Sequence, residues 1–105
     1  NTSSVLGTKV RPTAGAYAGT KFAIEALTEA LRLELAKTNI GVSCVEHGLV
    51  QTDLHRERPV PPAQSLNIPR PLQPEDIARV VLFFLEQQDH VLLPRILAVP
   101  SDQEL

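Results

Sequence analysis

The 105-residue chain contains no methionine and no tryptophan, and cysteine and tyrosine occur once each. No apolar run approaches the ~20 residues that a membrane-spanning helix needs, so a membrane partner is not expected. No charged-then-apolar signal segment opens the sequence as written. A lone cysteine cannot form an internal disulfide. Cys44 sits in an apolar strand pattern and reads as a small core hydrophobe in a reducing compartment, which points to the cytoplasm. Ten Lys and Arg against twelve Asp and Glu leave a net charge of −2, so there is no basic footprint for a nucleic acid. Without methionine the chain does not begin at a natural start codon, and no glycine-rich G-x-x-x-G-x-G-like loop joins a strand to a helix. What remains is a chain of ordinary hydrophobic content, 43%, with room for one small domain and one modest core.

The spacing of Ile24, Leu27, Leu31 and Leu35 predicts a helix over 16–37 whose apolar stripe reads as core, with Ala23, Ala26 and Ala30 adding small residues for close packing. Glu29 with Arg32, and Glu34 with Lys37, set opposite charges three apart on the wet side. Asn39 is placed to take the left-handed turn that ends the helix. Residues 40–46 follow directly, with Val42, Cys44 and Val45 giving the two-faced apolar content of a buried parallel strand. A helix leading into such a strand is half of an α/β crossover, and open α/β sheets bind ligands beyond the carboxyl ends of their strands. Residues 47–52 therefore fall where a cofactor or substrate binds.

Between 53 and 73, Pro59, Pro61, Pro62, Pro69 and Pro71 preclude a regular helix or central strand. The segment reads as a surface linker or a lid, with Arg56, Arg58 and Arg70 either solvated or facing an anionic substrate group. A second helix starts at Pro74, with Glu75 and Asp76 complementing its dipole, an apolar face of Ile77, Val80, Val81, Phe84 and Leu85, and an end near Gln88. Residues 91–99 read as a final strand in which Pro94 marks an edge or a bulge, and 101–105 as a short polar tail.

Within this frame Tyr17 and Lys21 stand four apart at the head of the first helix, and Ser4 lies thirteen residues before the tyrosine. Residues four apart share a helix face, so the ammonium of Lys21 can sit beside the Tyr17 phenol. A phenol with a pKa near ~10 is a poor acid or base at neutral pH, and a neighbouring positive charge favours its phenolate form. A serine hydroxyl both donates and accepts, and can orient a substrate oxygen. The plain alternative is a pair that merely packs and snorkels, as most Tyr–Lys pairs at this spacing do.

The surrounding text carries a resemblance. Asn1-Thr2-Ser3-Ser4-Val5-Leu6-Gly7, Tyr17-Ala18-Gly19-Thr20-Lys21 and Ala26-Leu27-Thr28-Glu29-Ala30-Leu31-Arg32 resemble the short-chain dehydrogenase/reductase family. The likeness continues through Gly41-Val42-Ser43-Cys44-Val45-Glu46-His47-Gly48-Leu49-Val50-Gln51-Thr52, similar to that family's strand and nicotinamide loop, and through Pro74-Glu75-Asp76-Ile77-Ala78. It implies an α/β fold, the C-terminal part of a Rossmann-like doubly wound parallel sheet. Residues 1–105 would then be a single partial domain whose N-terminal dinucleotide-binding half is missing.

The resemblance further implies an NAD(P)-dependent oxidoreductase that interconverts a small alcohol and its ketone or aldehyde. It makes Tyr17 the general acid/base, Lys21 the residue that lowers its pKa and binds the nicotinamide ribose, and Ser4 the residue that polarises the substrate oxygen. The thirteen-residue gap favours Ser4 over Ser3. Gly48, Val50 and Thr52, together with Tyr17 and Lys21, are the implied contacts of NAD or NADP, and no metal is implied. His47 stands where the family usually has proline, and is left out of the catalytic set. The helix over 16–37 is the implied contact of a homodimer or homotetramer. The competing readings are a non-catalytic binding or regulatory protein of the same fold, an inactive fragment, and a hydrolase using Ser4, His47 and Asp53. The last lacks a G-x-S-x-G elbow and leaves Tyr17 and Lys21 unexplained.

Overall fold

Three short extended segments lie side by side, all parallel, in a computed structural model that describes residues 1–105. The middle one, β1 (Cys44–His47), pairs along one edge with β2 (Arg95–Ala98), in the register Cys44 opposite Arg95 and His47 opposite Ala98. Along its other edge Val45 bridges Thr2: Ser3 N–H donates to Val45 O at 2.8 Å and Val45 N–H to Asn1 O at 3.0 Å. Parallel neighbours need a crossover, and helices supply it. Helix α1 (Gly15–Glu34) connects the first segment to β1, and helices α2 (Pro62–Ser65) and α3 (Pro74–Leu85) lie between β1 and β2. Strand β1 is shorter than its 40–46 pattern predicts. Pro94 has no N–H to donate, so the ladder begins with Cys44 N–H donating to Pro94 O at 2.9 Å, and Ile40 is left 61% exposed.

Helix α1 also departs from its pattern. It ends at Glu34 rather than at Lys37, and the left-handed residue is Lys37, at φ 68°, rather than Asn39. Thr38 closes the end, its hydroxyl donating to Leu35 O at 2.6 Å. The larger correction concerns the stripe read as core: Leu27 is 67% and Leu31 42% exposed, with Ile24 and Leu35 only half-buried. The inward face is Ala18, Glu25 and Thr28, with Lys21 half-buried. Polar contacts to the sheet set this rotation. Thr28 Oγ1 accepts from Asn1 Nδ2 at 2.8 Å, and Glu25 reaches Arg95 of β2. Of the two surface pairs expected on α1, Glu29–Arg32 forms, at 2.6 Å, and Glu34–Lys37 does not.

Under the sheet Arg95 joins two carboxylates, Glu25 at 3.3 Å and Glu46 at 2.8 Å. Cys44, 2% exposed, is the core cysteine the sequence suggests, and its thiol points at Glu25 Oε1, 3.8 Å away. Burial, reinforced by the charge of Glu25, pushes that thiol up. Burial and the charge of Glu25 likewise push the Glu46 carboxyl above the ordinary range, against the opposing pull of Arg95.

The proline-rich stretch is not free of helix. Pro62 stands at a first-turn position, where no N–H is needed, and so opens the single turn of α2. Asn67 at φ 53° ends it, and Ile68, 2% exposed, pins the segment to the rest. Helix α3 starts at Pro74 as the sequence indicates. Gln73 and Asp76 form a capping box in which Gln73 N–H donates to Asp76 Oδ2 at 2.7 Å. It stops at Leu85, short of Gln88, and half-buries Ile77, Val80 and Phe84 while Val81 and Leu85 stay exposed. No helix is long and apolar enough to cross a membrane. The radius of gyration, 15.1 Å, exceeds the ~13 Å of a self-contained domain of about this length, and only 14 of 105 residues are buried.

The raised Glu46 carboxyl has a measurable consequence. The folded chain holds that proton more tightly than the unfolded chain, so stability falls as pH rises from the ordinary carboxylate range through the elevated value. Glu46→Gln should raise the unfolding midpoint at neutral pH and change it little near pH ~3, where both states are protonated. Thermal unfolding across that range measures both arms.

Candidate active site

The three parallel segments end at the same side of the sheet, and a cleft of about 930 Å³ opens there. Ser4, Tyr17, Lys21, His47, Gly48, Val50 and Thr52 all line it, although they come from stretches as far apart as residues 4 and 52. Asp53 does not, so the Ser4–His47–Asp53 grouping is not assembled around this cleft.

Ser4 and Ser3 are separated by the alternation of an extended chain, which sends neighbouring side chains to opposite faces. Ser4, at φ −152° and ψ 161°, turns toward the cleft and caps the 3-10 turn Val5–Gly7, its Oγ accepting from Leu6 N–H at 3.2 Å. Its own hydroxyl hydrogen remains free to donate. Ser3 is fully buried beneath the sheet, and its Oγ has no hydrogen-bond partner. Tyr17 sits in the first turn of α1, 44% exposed. Lys21, one turn on, holds its ammonium 5.7 Å from the phenol ring centroid. The same ammonium donates to Thr2 O at 3.4 Å, tying it to the segment that carries Ser4.

On the opposite wall the loop after β1 is held by backbone bonds. Gly48 N–H donates to Ala98 O at 2.8 Å. Gly48 has no positive φ; it is required for space, because a Cβ there would run into Gln103 and Pro100. His47 Nδ1 lies 2.8 Å from Gly48 O. A carbonyl only accepts, so Nδ1 carries the hydrogen in this contact. Gln51 N–H donates to Leu72 O at 2.8 Å and Leu72 N–H to Leu49 O at 2.9 Å. Val50, between them, keeps its own N–H and C=O free of any partner in the chain. Thr52 caps the next 3-10 turn, Asp53–His55, by accepting from Leu54 N–H at 3.3 Å.

Two contributors were not legible in the sequence. The tail read as merely polar returns to the cleft, where Gln103 Oε1 accepts from Leu49 N–H at 2.9 Å across 54 residues of chain. His55 also lines the cleft, with Nδ1 buried and unpartnered. Nothing in the composition of either stretch marks them. The charge distribution is uneven as well. Arg32, Arg70, Arg79 and Arg95 are each paired with a carboxylate, whereas Lys9, Arg11 and Arg58 line the cleft without an ion pair. Of the three loop arginines, Arg58 alone faces the cleft, and Arg70 lies 3.8 Å from Asp102 of the tail.

The family model for short chain dehydrogenases matches residues 1–61. Dehydrogenase/reductase SDR family member 11 of Bos taurus is 36% identical over 111 residues, covering 98% of this chain and 44% of that protein. The chain belongs to the short-chain dehydrogenase family. It therefore spans about 44% of the length of that curated relative. Among solved structures, the closed form of a serine dehydrogenase complexed with NADP+ superimposes with a TM-score of 0.88 at 22% identity, covering all of this chain and 44% of that one. Acetoin dehydrogenase YohF from Salmonella typhimurium does so with 0.74 at 28% identity, over 96% and 40%. The parallel segments and crossover helices of this family member are thus part of a Rossmann-like doubly wound sheet, the α/β class its sequence implies.

The two serines separate cleanly by substitution. Ser3→Ala removes a buried hydroxyl that has no partner, and should leave stability unchanged or slightly raised. Ser4→Ala removes the cap on Leu6 and should cost about 1 kcal/mol in denaturant unfolding.

Proposed function

We propose that this chain carries the proton-transfer and nicotinamide-binding side of an NAD(P)-dependent oxidoreductase that interconverts a small alcohol with its ketone or aldehyde. The observation that carries this reading is the opening of Ser4, Tyr17 and Lys21 onto one cleft whose far wall presents the unpaired peptide groups of Val50. An N–H and a C=O side by side match the acceptor and donor of a carboxamide, so the residues present fit a nicotinamide. Val50 would hold that amide, with Gly48 and Thr52 beside it, and Lys21 would bind the ribose. The cofactor, NAD or NADP, supplies or accepts the hydride.

The chain's own residues manage the oxygen and its proton. Ser4 donates to the substrate oxygen and fixes its position. In the oxidative direction the alcohol proton passes to the Tyr17 oxygen, and in the reductive direction Tyr17 returns it to the forming alkoxide. The Lys21 ammonium stabilises negative charge on the Tyr17 oxygen in both directions. The cationic lining from Lys9, Arg11 and Arg58 suits the phosphates of such a cofactor or an anionic substrate group. His47, in place of the family's usual proline, is the feature that favours the alternative of a non-catalytic binding protein on the same fold.

The outward face of α1 supports association of two copies through that helix. Leu27 and Leu31, four residues apart on one face, are both exposed, and apolar groups gathered on one helix face are a typical contact between subunits.

Activity decides between the catalytic and non-catalytic readings. Tyr17→Phe in the full protein should lower hydride transfer, followed by nicotinamide absorbance, by roughly 10²–10⁴ while cofactor affinity is retained. A full-length protein inert toward a broad panel of alcohols and carbonyls would leave only the binding-protein reading. For the association, Leu27→Glu combined with Leu31→Glu should shift the protein to a smaller species in sedimentation, with its helical circular dichroism preserved.

A further inference from the structure

We infer that Gln103 is a positioning residue for the nicotinamide loop, a clamp by which the tail of the chain sets how well the cofactor's carboxamide is recognised. The inference rests on the reading of Val50 given above. Its physical basis lies in three contacts. Gln103 Oε1 accepts from Leu49 N–H at 2.9 Å, in a half-buried position. Leu49 is the residue immediately before Val50, so this bond holds the Gly48–Leu49 peptide unit, the neighbour of the unit that carries the unpaired Val50 N–H. The space for the contact is reserved, since any side chain at Gly48 would collide with Gln103 and Pro100. The clamp itself is braced, because Gln103 N–H closes a turn onto Pro100 O at 3.0 Å and the adjoining Asp102 lies 3.8 Å from Arg70.

The loop needs such a clamp for a geometric reason. Residues 48–51 are fixed by Gly48 N–H on one side and by the Leu72 bridge on the other, through Leu49 O and Gln51 N–H. Leu49 N–H and Val50 N–H are the two backbone donors left between those anchors, and neither meets a backbone acceptor; Gln103 takes the first. Left without Gln103 that donor would turn toward water, and the Gly48–Leu49 peptide would gain rotational freedom, leaving the Leu49 O bond to Leu72 as the one hold on the peptide that carries the Val50 N–H. An amide and an acid differ only by a donor against an acceptor at one atom, so discrimination between them depends on how firmly the Val50 C=O and N–H are held. Gln103 therefore contributes to cofactor recognition through the loop, whether or not it touches the cofactor.

The test uses the full protein and three variants. Gln103→Ala removes the acceptor, Gln103→Met keeps the bulk without it, and Gln103→Glu keeps an acceptor oxygen at the same reach. Two measurements are made: hydrogen exchange at Leu49, and equilibrium binding of the nicotinamide cofactor against its deamido analogue, which carries an acid in place of the amide. Gln103→Ala and Gln103→Met should speed Leu49 exchange and reduce the preference for the amide cofactor by about five- to tenfold, the value of one lost hydrogen bond. Gln103→Glu should retain both, and the thermal midpoint should move similarly little in all three. A purely structural role would instead change the midpoint and leave the amide preference intact. That result overturns the inference, as does unchanged Leu49 exchange in Gln103→Ala. If the unmodified protein shows no preference for the amide cofactor, the Val50 reading fails, and Leu49 exchange still decides whether the clamp exists.

Discussion

Everything at the cleft depends on β1 being hydrogen-bonded along both edges. Val45 exchanges bonds with Asn1 and Ser3 on one side and lies opposite Ile96 on the other. Because all three segments are parallel, each leaves the sheet in the same direction. The first delivers Ser4 and its turn, the second the loop from His47 to Thr52, and the third the turn that carries Gln103. An antiparallel arrangement would scatter these stretches to opposite ends. The parallel ladder gathers them, and α1, which must cross back over the sheet, brings Tyr17 and Lys21 to the same rim.

The rotation of α1 follows from what lies beneath it. Its inner face meets Asn1 through Thr28 and Arg95 through Glu25, so the helix turns polar groups inward. Lys21 lies one turn before Glu25 on that face, and its ammonium reaches Thr2 O while staying near the Tyr17 ring. The same rotation that places Lys21 sends Leu27 and Leu31 outward. Site geometry and the exposed apolar face are thus two results of one choice. A pair of half-satisfied carboxylates around one arginine is a costly way to fix a helix, since burial works against the charge on Glu46. It does supply direction, which an apolar contact between smooth faces does not.

Local rules read well in this sequence because the signals are local. Pro74 with Asp76 two residues on marks a helix start by itself, and the Tyr17–Lys21 spacing specifies a shared face before any tertiary contact is known. The thirteen-residue gap to the tyrosine picks Ser4 over Ser3, and Ser4 is the serine that lines the cleft. What failed depended on distant partners. The Leu27–Leu31 stripe has the periodicity of a core face, but periodicity finds the apolar side without saying what it meets. Gly48 has an ordinary φ, and what calls for a glycine there is a glutamine 55 positions later in the chain. His55 gives no local sign that one of its ring nitrogens is buried without a partner.

The cleft is held differently from the ladder below it. Its walls are tied by a few separate hydrogen bonds: Lys21 to Thr2, Leu49 to Gln103, Leu54 to Thr52 and the Leu72 bridge to Leu49 and Gln51. Each is worth about 1 kcal/mol net. Tyr17 and Lys21 stand on α1, and Ser4 immediately after the β1 edge partner. Arg58 on the proline-rich segment and the tail beyond β2 line the cleft from loops. Substitutions in those loops change local stability by small amounts, so they can alter what enters the cleft without disturbing the ladder. If Tyr17 and Lys21 transfer the proton as proposed, a pair held by α1 beneath adjustable walls lets the ligand change while the backbone stays fixed.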